Sequence, residues 1–403
     1  MDKTGFATGY DPAVSVREMA ELARQAETRG YDMAFFSETV LCNRDSVTAM
    51  TAFGLATTKI ALGCTQVVRL RSPVVMAQSL ASLDELTGGR IVLAPGACTD
   101  KHARRHGLPP ANPALTLREW VECVRLLLAG GKVTYKGQSV ELDGVRLNWD
   151  PPRRRIPFWF AAMSRTGLRL AGQLADGVLL DAHTSPEYVA NAIAIIKDAA
   201  REAGRDWAGF EVAQIIPCSV EDSHDDALEA VRWEAASRFE SPNFQAETER
   251  RLRVGEPAID PADFPMLREA LALAGKAGVA KTLPRRLIEN TTATGTPDEV
   301  VERVKRYRGA GVTFPLHPPP GPASGHTDPG SLREGFRVTV VSRVRARGGR
   351  RSSAGQYSIP GDDAWKGRVP EWKTIHTRLP PGHDLAPNVG GDLVEAGEPH
   401  PAL

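Results

Sequence analysis

The chain has 403 residues, 42% of them hydrophobic and 25% charged, with 50 Lys and Arg against 49 Asp and Glu for a formal net charge of +1. That is enough chain to bury a large core, and the near-neutral balance gives no electrostatic reason to expect nucleic acid or an acidic membrane surface as a partner. Five cysteines without a Cys-x-x-Cys pair argue against a disulfide framework or zinc knuckle, and no apolar run is long enough to cross a bilayer, so the expected setting is a reducing cytoplasm.

Residues 4–9 read as a short strand, and Ser15 with Glu18 as a capping box that opens a helix to Gly30. The apolar run 31–36 is a second strand ending in Ser37-Glu38-Thr39, followed by a weaker helix over 46–57. Residues 59–68 and 90–95 are two further strands around a helix that Ser72 and Pro73 start and Gly88 or Gly89 stops. Val75, Ala77, Leu80, Leu83 and Leu86 predict its buried stripe.

A polar insertion follows Asp100, then a helix over 116–129, a hairpin over 132–149 with Gly137 and Gly144 as turn candidates, and a strand over 156–162. Ser164 opens the next helix. Residues 178–180 and 210–220 are strands around a helix beginning at Ser185-Pro186-Glu187. A charged, proline-interrupted helical insertion is expected over 221–290, and Thr296-Pro297-Asp298-Glu299 starts a helix that leads to a last strand at 312–316. About eight strands alternating with helices, without a Gly-rich dinucleotide fingerprint after the first, favour a (β/α)8 TIM barrel over an open doubly wound sheet. The expected division is a catalytic barrel over 1–345, closed by a helix within 328–345, and a Gly/Pro/Arg-rich tail over 346–403 that lacks the periodicity to pack a core.

A barrel gathers its strand carboxyl ends around one mouth, so the residues there are the site candidates. Ser164-Arg165-Thr166-Gly167 begins a helix directly after a strand, preceded by Ala162-Met163, and its amides and dipole suit an anion; the plainer alternative is a simple N-cap. Ala97 and Cys98 are small enough to let a flat ring approach. Glu38 is a candidate acid or base, with a salt-bridged carboxylate as the alternative, and His183 is a candidate proton donor. Cys98, His102 and His106 recur every four residues, but the interleaved Lys101, Arg104 and Arg105 disfavour a metal and suit a lid that meets an anion.

The segments ASLDELTGGRIVLAPGA, PFWFAAMSRTGLRLAGQLADGVLL and GTPDEVVERVKRYRGAGVTFP, in that order, resemble the bacterial luciferase-like oxidoreductases over about residues 3 to 318. The resemblance implies a barrel that binds FMN or the deazaflavin coenzyme F-420 and acts on a small-molecule substrate by hydride transfer or through a flavin peroxide. It also implies a homodimer. It assigns the cofactor phosphate to the Ser164 turn and a bulge with a non-prolyl cis peptide to Thr65-Gln66. The Asp-His and Glu pair of one deazaflavin-dependent sugar phosphate dehydrogenase branch is missing: the matching positions are Glu38-Thr39 and Thr99, so that chemistry does not carry over.

Overall fold

The computed structural model describes residues 3–9, 11, 13–38, 44–98, 100–253 and 259–317. Its strands are β1 Gly5–Thr8, β2 Met33–Phe36, β3 Ala61–Val67, β4 Ile91–Gly96, β5 Val133–Lys136, β6 Glu141–Val145, β7 Trp159–Ala161, β8 Gly177–Leu180, β9 Glu211–Ile215, β10 Cys218–Val220, β11 Ala293–Gly295 and β12 Phe314–His317. Eight of them close a parallel barrel in the order β1-β12-β9-β8-β7-β4-β3-β2, as expected for a (β/α)8 fold. Strands β5 and β6 form the expected antiparallel hairpin outside the barrel. Its turn holds Gly137, whereas Gly144 lies within β6 at φ +60°.

Strand alternation divides the barrel residues into two sets. Ala7, Met33, Phe35, Val92, Ala94, Trp159, Leu179, Ala213, Ile215, Phe314 and Leu316 fill the barrel interior as one buried cluster. Their neighbours Ala34, Phe36, Leu62, Cys64, Leu93, Phe160, Val178, Leu180 and Val212 belong to the layer between strands and helices. A period of two fixes which face every later residue on each strand takes.

The predicted strand over 210–220 is interrupted. Pro217 has no amide to continue a ladder, and the chain leaves the barrel there to form β10, which pairs in parallel with β11. Ala293–Gly295 carried no strand signal in the sequence, and this two-stranded sheet is a correction to the expected layout.

The helix Pro73–Thr87 starts and stops as expected: the Ser72 hydroxyl accepts from Val75 N, and Gly88 takes φ +66°. Its buried face, however, is Met76, Ala77, Leu80, Ala81, Leu83, Asp84 and Thr87, while Val75 and Leu86 remain 47% and 46% exposed. Ala77, Leu80 and Leu83 are buried as expected, whereas Val75 and Leu86 stand on the outer face with Gln78, Ser82 and Glu85. Two polar residues of the same segment explain its pattern better. Asp84 is fully buried and receives Arg153 Nε at 2.9 Å, while Arg153 also reaches Ile91 O at 2.8 Å, tying the helix to β4 and the segment before β7. Arg90 donates to Thr87 O, Gly54 O, Thr57 O and Ile60 O, satisfying the carbonyl ends of two helices at once.

Helices Pro242–Arg253, Asp263–Thr282 and Arg285–Thr291 join the helix His224–Ser237 in the expected insertion, with its own small core that includes Val231, Phe239, Phe264, Leu267, Val279 and Ile288. A histidine fastens this insertion to the last barrel helix, Pro297–Gly309. His224 Nε2 lies 2.9 Å from Glu289 Oε1 and its Nδ1 lies 3.0 Å from Glu299 Oε1. The bond to Glu289, then that to Glu299, raises the imidazole pKa, and Glu299 is held down to about 2, first by the Thr296 amide and then by His224. Stability from a raised histidine pKa is complete below the unfolded value and lost as pH rises through the folded one. The urea midpoint of wild type is therefore expected to exceed that of His224→Gln most at about pH 6 and to approach it above about pH 8; a gap that widens with pH would refute the charged clamp.

The helix expected over 328–345 and the tail over 346–403 lie outside the described residues.

Candidate functional site

The mouth is built from three adjacent strand ends. Val67 pairs with Gly96, and Gly96 with Ala161, so the ends of β3, β4 and β7 lie side by side, while Thr65 stands lower on β3, level with Ala94. Gly96, Ala97 and Cys98 are half-exposed and carry little side chain; parity from Val92 and Ala94 turns Ala97 outward, where it packs on the helix-facing cluster, so Gly96 and Cys98 are the small residues left at the mouth. Cys98 sits at φ 51°, a left-handed conformation that disfavours a side chain, and His183, after β8, sits at φ 56°. Among the described non-glycine residues only these two have positive φ, and both lie at the mouth end of barrel strands, where backbone strain tends to mark a site. Burial, partly opposed by Arg69, raises the Cys98 thiol pKa, so a reactive thiolate is disfavoured.

The helix Arg165–Leu174 begins beside these strand ends. The Ser164 hydroxyl accepts from Gly167 N at 3.2 Å, and Ser164, Arg165 and Thr166 are exposed, so protein does not cover the helix start. The N-cap reading of this turn is what the geometry shows, Ser164 capping the third amide, and the exposed helix start beside it leaves room for an anion. Met163 is half-exposed and its carbonyl accepts from the Tyr188 hydroxyl at 3.2 Å. Ala162, in contrast, is buried in the helix-facing layer, with the Gly167 backbone packed on it, and does not open onto the mouth.

Three further candidates sit differently from expectation. The Thr65–Gln66 peptide is trans, because no described bond is cis, and β3 continues its ladder through both residues to Ala94 and Pro95. Glu38 follows Ser37 at outward parity, and its side chain is only 7% exposed. One carboxylate oxygen accepts from Gln66 Nε2 at 2.9 Å and Val67 N at 3.3 Å, and the other from Ser46 N and Arg71, both at 3.1 Å. Gln66 is likewise an outward, buried residue, so of the pair only Thr65 faces the mouth. His183 is 7% exposed and faces the insertion, 3.7 Å from Glu234, beside a cavity of about 10 Å³, roughly one water's room. Its two ring nitrogens, Glu234 Oε2 and Gln214 Oε1 are buried without hydrogen-bond partners, an arrangement that costs free energy until something supplies them.

Gln66, as a structural bracket, and its counterpart Gln214 were not foreseen. Gln214 Nε2 donates to Asp181 O at 2.6 Å, Thr184 Oγ1 at 3.0 Å and its neighbour Ile215 O at 2.9 Å; Gln66 Nε2 reaches Val67 O at 3.1 Å in the same way. The signal was present in Thr65-Gln66-Val67-Val68 and Ala213-Gln214-Ile215-Ile216, a glutamine at outward parity inside a buried apolar strand. Asp181 after β8 is bound by Arg238 at 2.6 Å, which joins the insertion to the mouth.

The lid segment forms a helix, Asp100–Arg105, held by Arg69 through Asp100 at 2.8 Å. No metal-binding group of His, Cys, Asp and Glu occurs among the described residues; the His102 side chain, Thr39 and Thr99 lie outside them. A cavity of about 940 Å³ opens elsewhere, between the insertion and the helix Pro297–Gly309. Its arginines are already bound, Arg286 to Asp263 and Arg306 to Asn290, and acidic side chains outnumber them on its walls, so an anionic cofactor suits the mouth better.

The family model of luciferase-like monooxygenases matches residues 1–313, and the chain belongs to that family. It is similar to 5,10-methylenetetrahydromethanopterin reductase of Archaeoglobus fulgidus, with 29% identity over 76% of this chain and 91% of the relative. It is also similar to F420-dependent glucose-6-phosphate dehydrogenase of Nakamurella multipartita, with 26% identity over 75% and 87%. Among solved structures, the coenzyme F420 dependent tetrahydromethanopterin reductase of Methanopyrus kandleri superposes with a TM-score of 0.69 at 26% identity, covering 79% of this chain and 93% of that one.

Proposed function

We propose that this chain is an oxidoreductase that transfers hydride between the deazaflavin coenzyme F-420 and a small organic substrate. The open start of the helix Arg165–Leu174, next to the small residues Gly96 and Cys98, is the observation that carries the reading, because it suits a phosphate linked to a flat ring. The relatives named above as F420-dependent agree with it. When bound, the deazaflavin would supply the hydride acceptor or donor. The chain's own part is to seat the phosphate at Ser164-Arg165-Thr166, carry the ring on Thr65, Cys98 and Met163, and exclude water. The family's monooxygenase description favours FMN as the second reading, and FMN would use the same phosphate seat.

Titrating the purified protein with each cofactor while following ring fluorescence separates the two. Saturable binding of the deazaflavin with anaerobic hydride turnover is expected; binding of FMN alone with oxygen consumption would favour the second reading, and binding of neither would refute both. His183 faces the insertion beside Glu234 and not the mouth, so His183→Gln is expected to leave kcat close to wild type; a loss of roughly 100-fold, the usual range for general acid–base catalysis, would assign it the proton that accompanies hydride transfer.

A homodimer is part of this proposal. The helix Ser46–Ala56 is apolar nearly all round and leaves Leu55 72% exposed, and the helix packed against it leaves Val75 and Leu86 exposed as well. Such exposed apolar residues call for a cover. Leu55→Glu is expected to shift sedimentation from dimer to monomer, and a monomeric wild type would contradict the proposal. No helix among the described residues is long and apolar enough to cross a membrane.

A further inference from the structure

Strand parity sends Glu38 behind the mouth: Phe35 points into the barrel and Phe36 to the helices, so Ser37 points in and Glu38 out. There its carboxylate is the junction of four donors from three elements, Gln66 Nε2 and Val67 N of β3, Ser46 N at the start of the helix Ser46–Ala56, and Arg71. Arg71 also binds Gln66 Oε1 at 2.7 Å and pairs with Asp45, the residue that caps that helix through Thr48 N. The Arg71 carbonyl is itself held by Trp120 Nε1 at 2.8 Å. At the front of this network the Thr65 hydroxyl, on the mouth side, donates to Glu38 O at 2.8 Å.

We infer that Glu38 is a positioning residue that sets the end of β3 under the cofactor ring, and that it is not the acid or base of the reaction. The chemistry of its surroundings requires a group that only accepts. Each oxygen meets two donors, and a proton or an amide placed there would set donor against donor. A proton-transfer role needs the opposite, a carboxylate oxygen within reach of substrate that can gain and lose a proton each cycle. Glu38 has its back to the mouth and touches it only through its main chain and Thr65. The inference rests on the cofactor reading above for what the strand end carries, but not for the network itself.

Glu38→Gln and Arg71→Met test it together, since Arg71 holds the same carboxylate. Two readouts are needed: amide exchange of residues 65–67 in the cofactor-free protein, and deazaflavin Kd with the pH profile of turnover. Both variants are expected to speed exchange at 65–67 and to weaken cofactor binding by about tenfold or more, with the limbs of the pH profile unmoved. The double variant should be no worse than the worse single one, as members of one network behave. Glu38→Gln with wild-type exchange and wild-type Kd but a lost pH limb would overturn the inference. If Glu38→Gln does not fold, Arg71→Met with wild-type exchange at Val67 overturns it equally. A wild type that binds neither cofactor would sink the functional reading, and the exchange readout would still decide the role of Glu38.

Discussion

Thr166→Glu is expected to weaken cofactor binding by about 100-fold, roughly 2.7 kcal/mol, while leaving the fold at least as stable as wild type. The two effects have opposite signs because of where Thr166 stands. It is exposed in the first turn of the helix Arg165–Leu174, where a carboxylate gains from the helix dipole by a few tenths of a kcal/mol. The same carboxylate occupies the space and takes the potential that a cofactor phosphate needs, and like charge repels the ligand. Fluorescence titration gives the first effect and thermal unfolding the second. A variant that binds as tightly as wild type would place the phosphate elsewhere, whereas a variant that unfolds early would mean that the turn is a structural cap and little more.

The largest expected loss of stability belongs to a pair far from the mouth. Asp84 is fully buried, and its carboxylate depends on Arg153, whose side chain is 32% exposed. Arg153→Ala should cost about 3 kcal/mol, the lower end of the range for breaking a buried pair, because water can enter where the arginine was. Replacing both residues by leucine should recover most of that loss, since no charge is then left buried. Urea unfolding of the single and double variants measures both values. A negligible loss in the single variant would show that solvent already satisfies Asp84.

The barrel was legible because its signals are local and repeated. Ser72, Ser164, Ser185 and Thr296 each announce a helix start by a chemistry that acts within three residues, and each apolar run between them is long enough for a strand. What failed depended on phase or on distant partners. Val75 and Leu86 are apolar residues on a face that also carries Gln78, Ser82 and Glu85, so residue type alone sent them to the core. Pro217 ended a strand that composition alone continued, and β11 exists only because β10 is there to pair with it.

The site shows the same division. The helix start at Ser164 was readable beside the mouth, since helix start and strand end are adjacent in sequence. Glu38 reads as a mouth residue because it follows a strand, and Gln66 because the resemblance places a bulge there. Counting parity from Phe35 and Cys64 would have turned both outward, and their partner Arg71 then explains why a carboxylate is kept behind the mouth. His183 could not be placed from its own segment, because the helix that covers it begins some forty residues later.

The central claim is that one anionic, flat cofactor lies across the ends of β3, β4 and β7 with its phosphate at the Ser164 turn. Amide hydrogen exchange with and without saturating deazaflavin tests this most directly. Protection is expected at residues 96–98 and 164–167 and not along the walls of the 940 Å³ cleft. Protection confined to residues 285–306, with no change at the Ser164 turn, would contradict it.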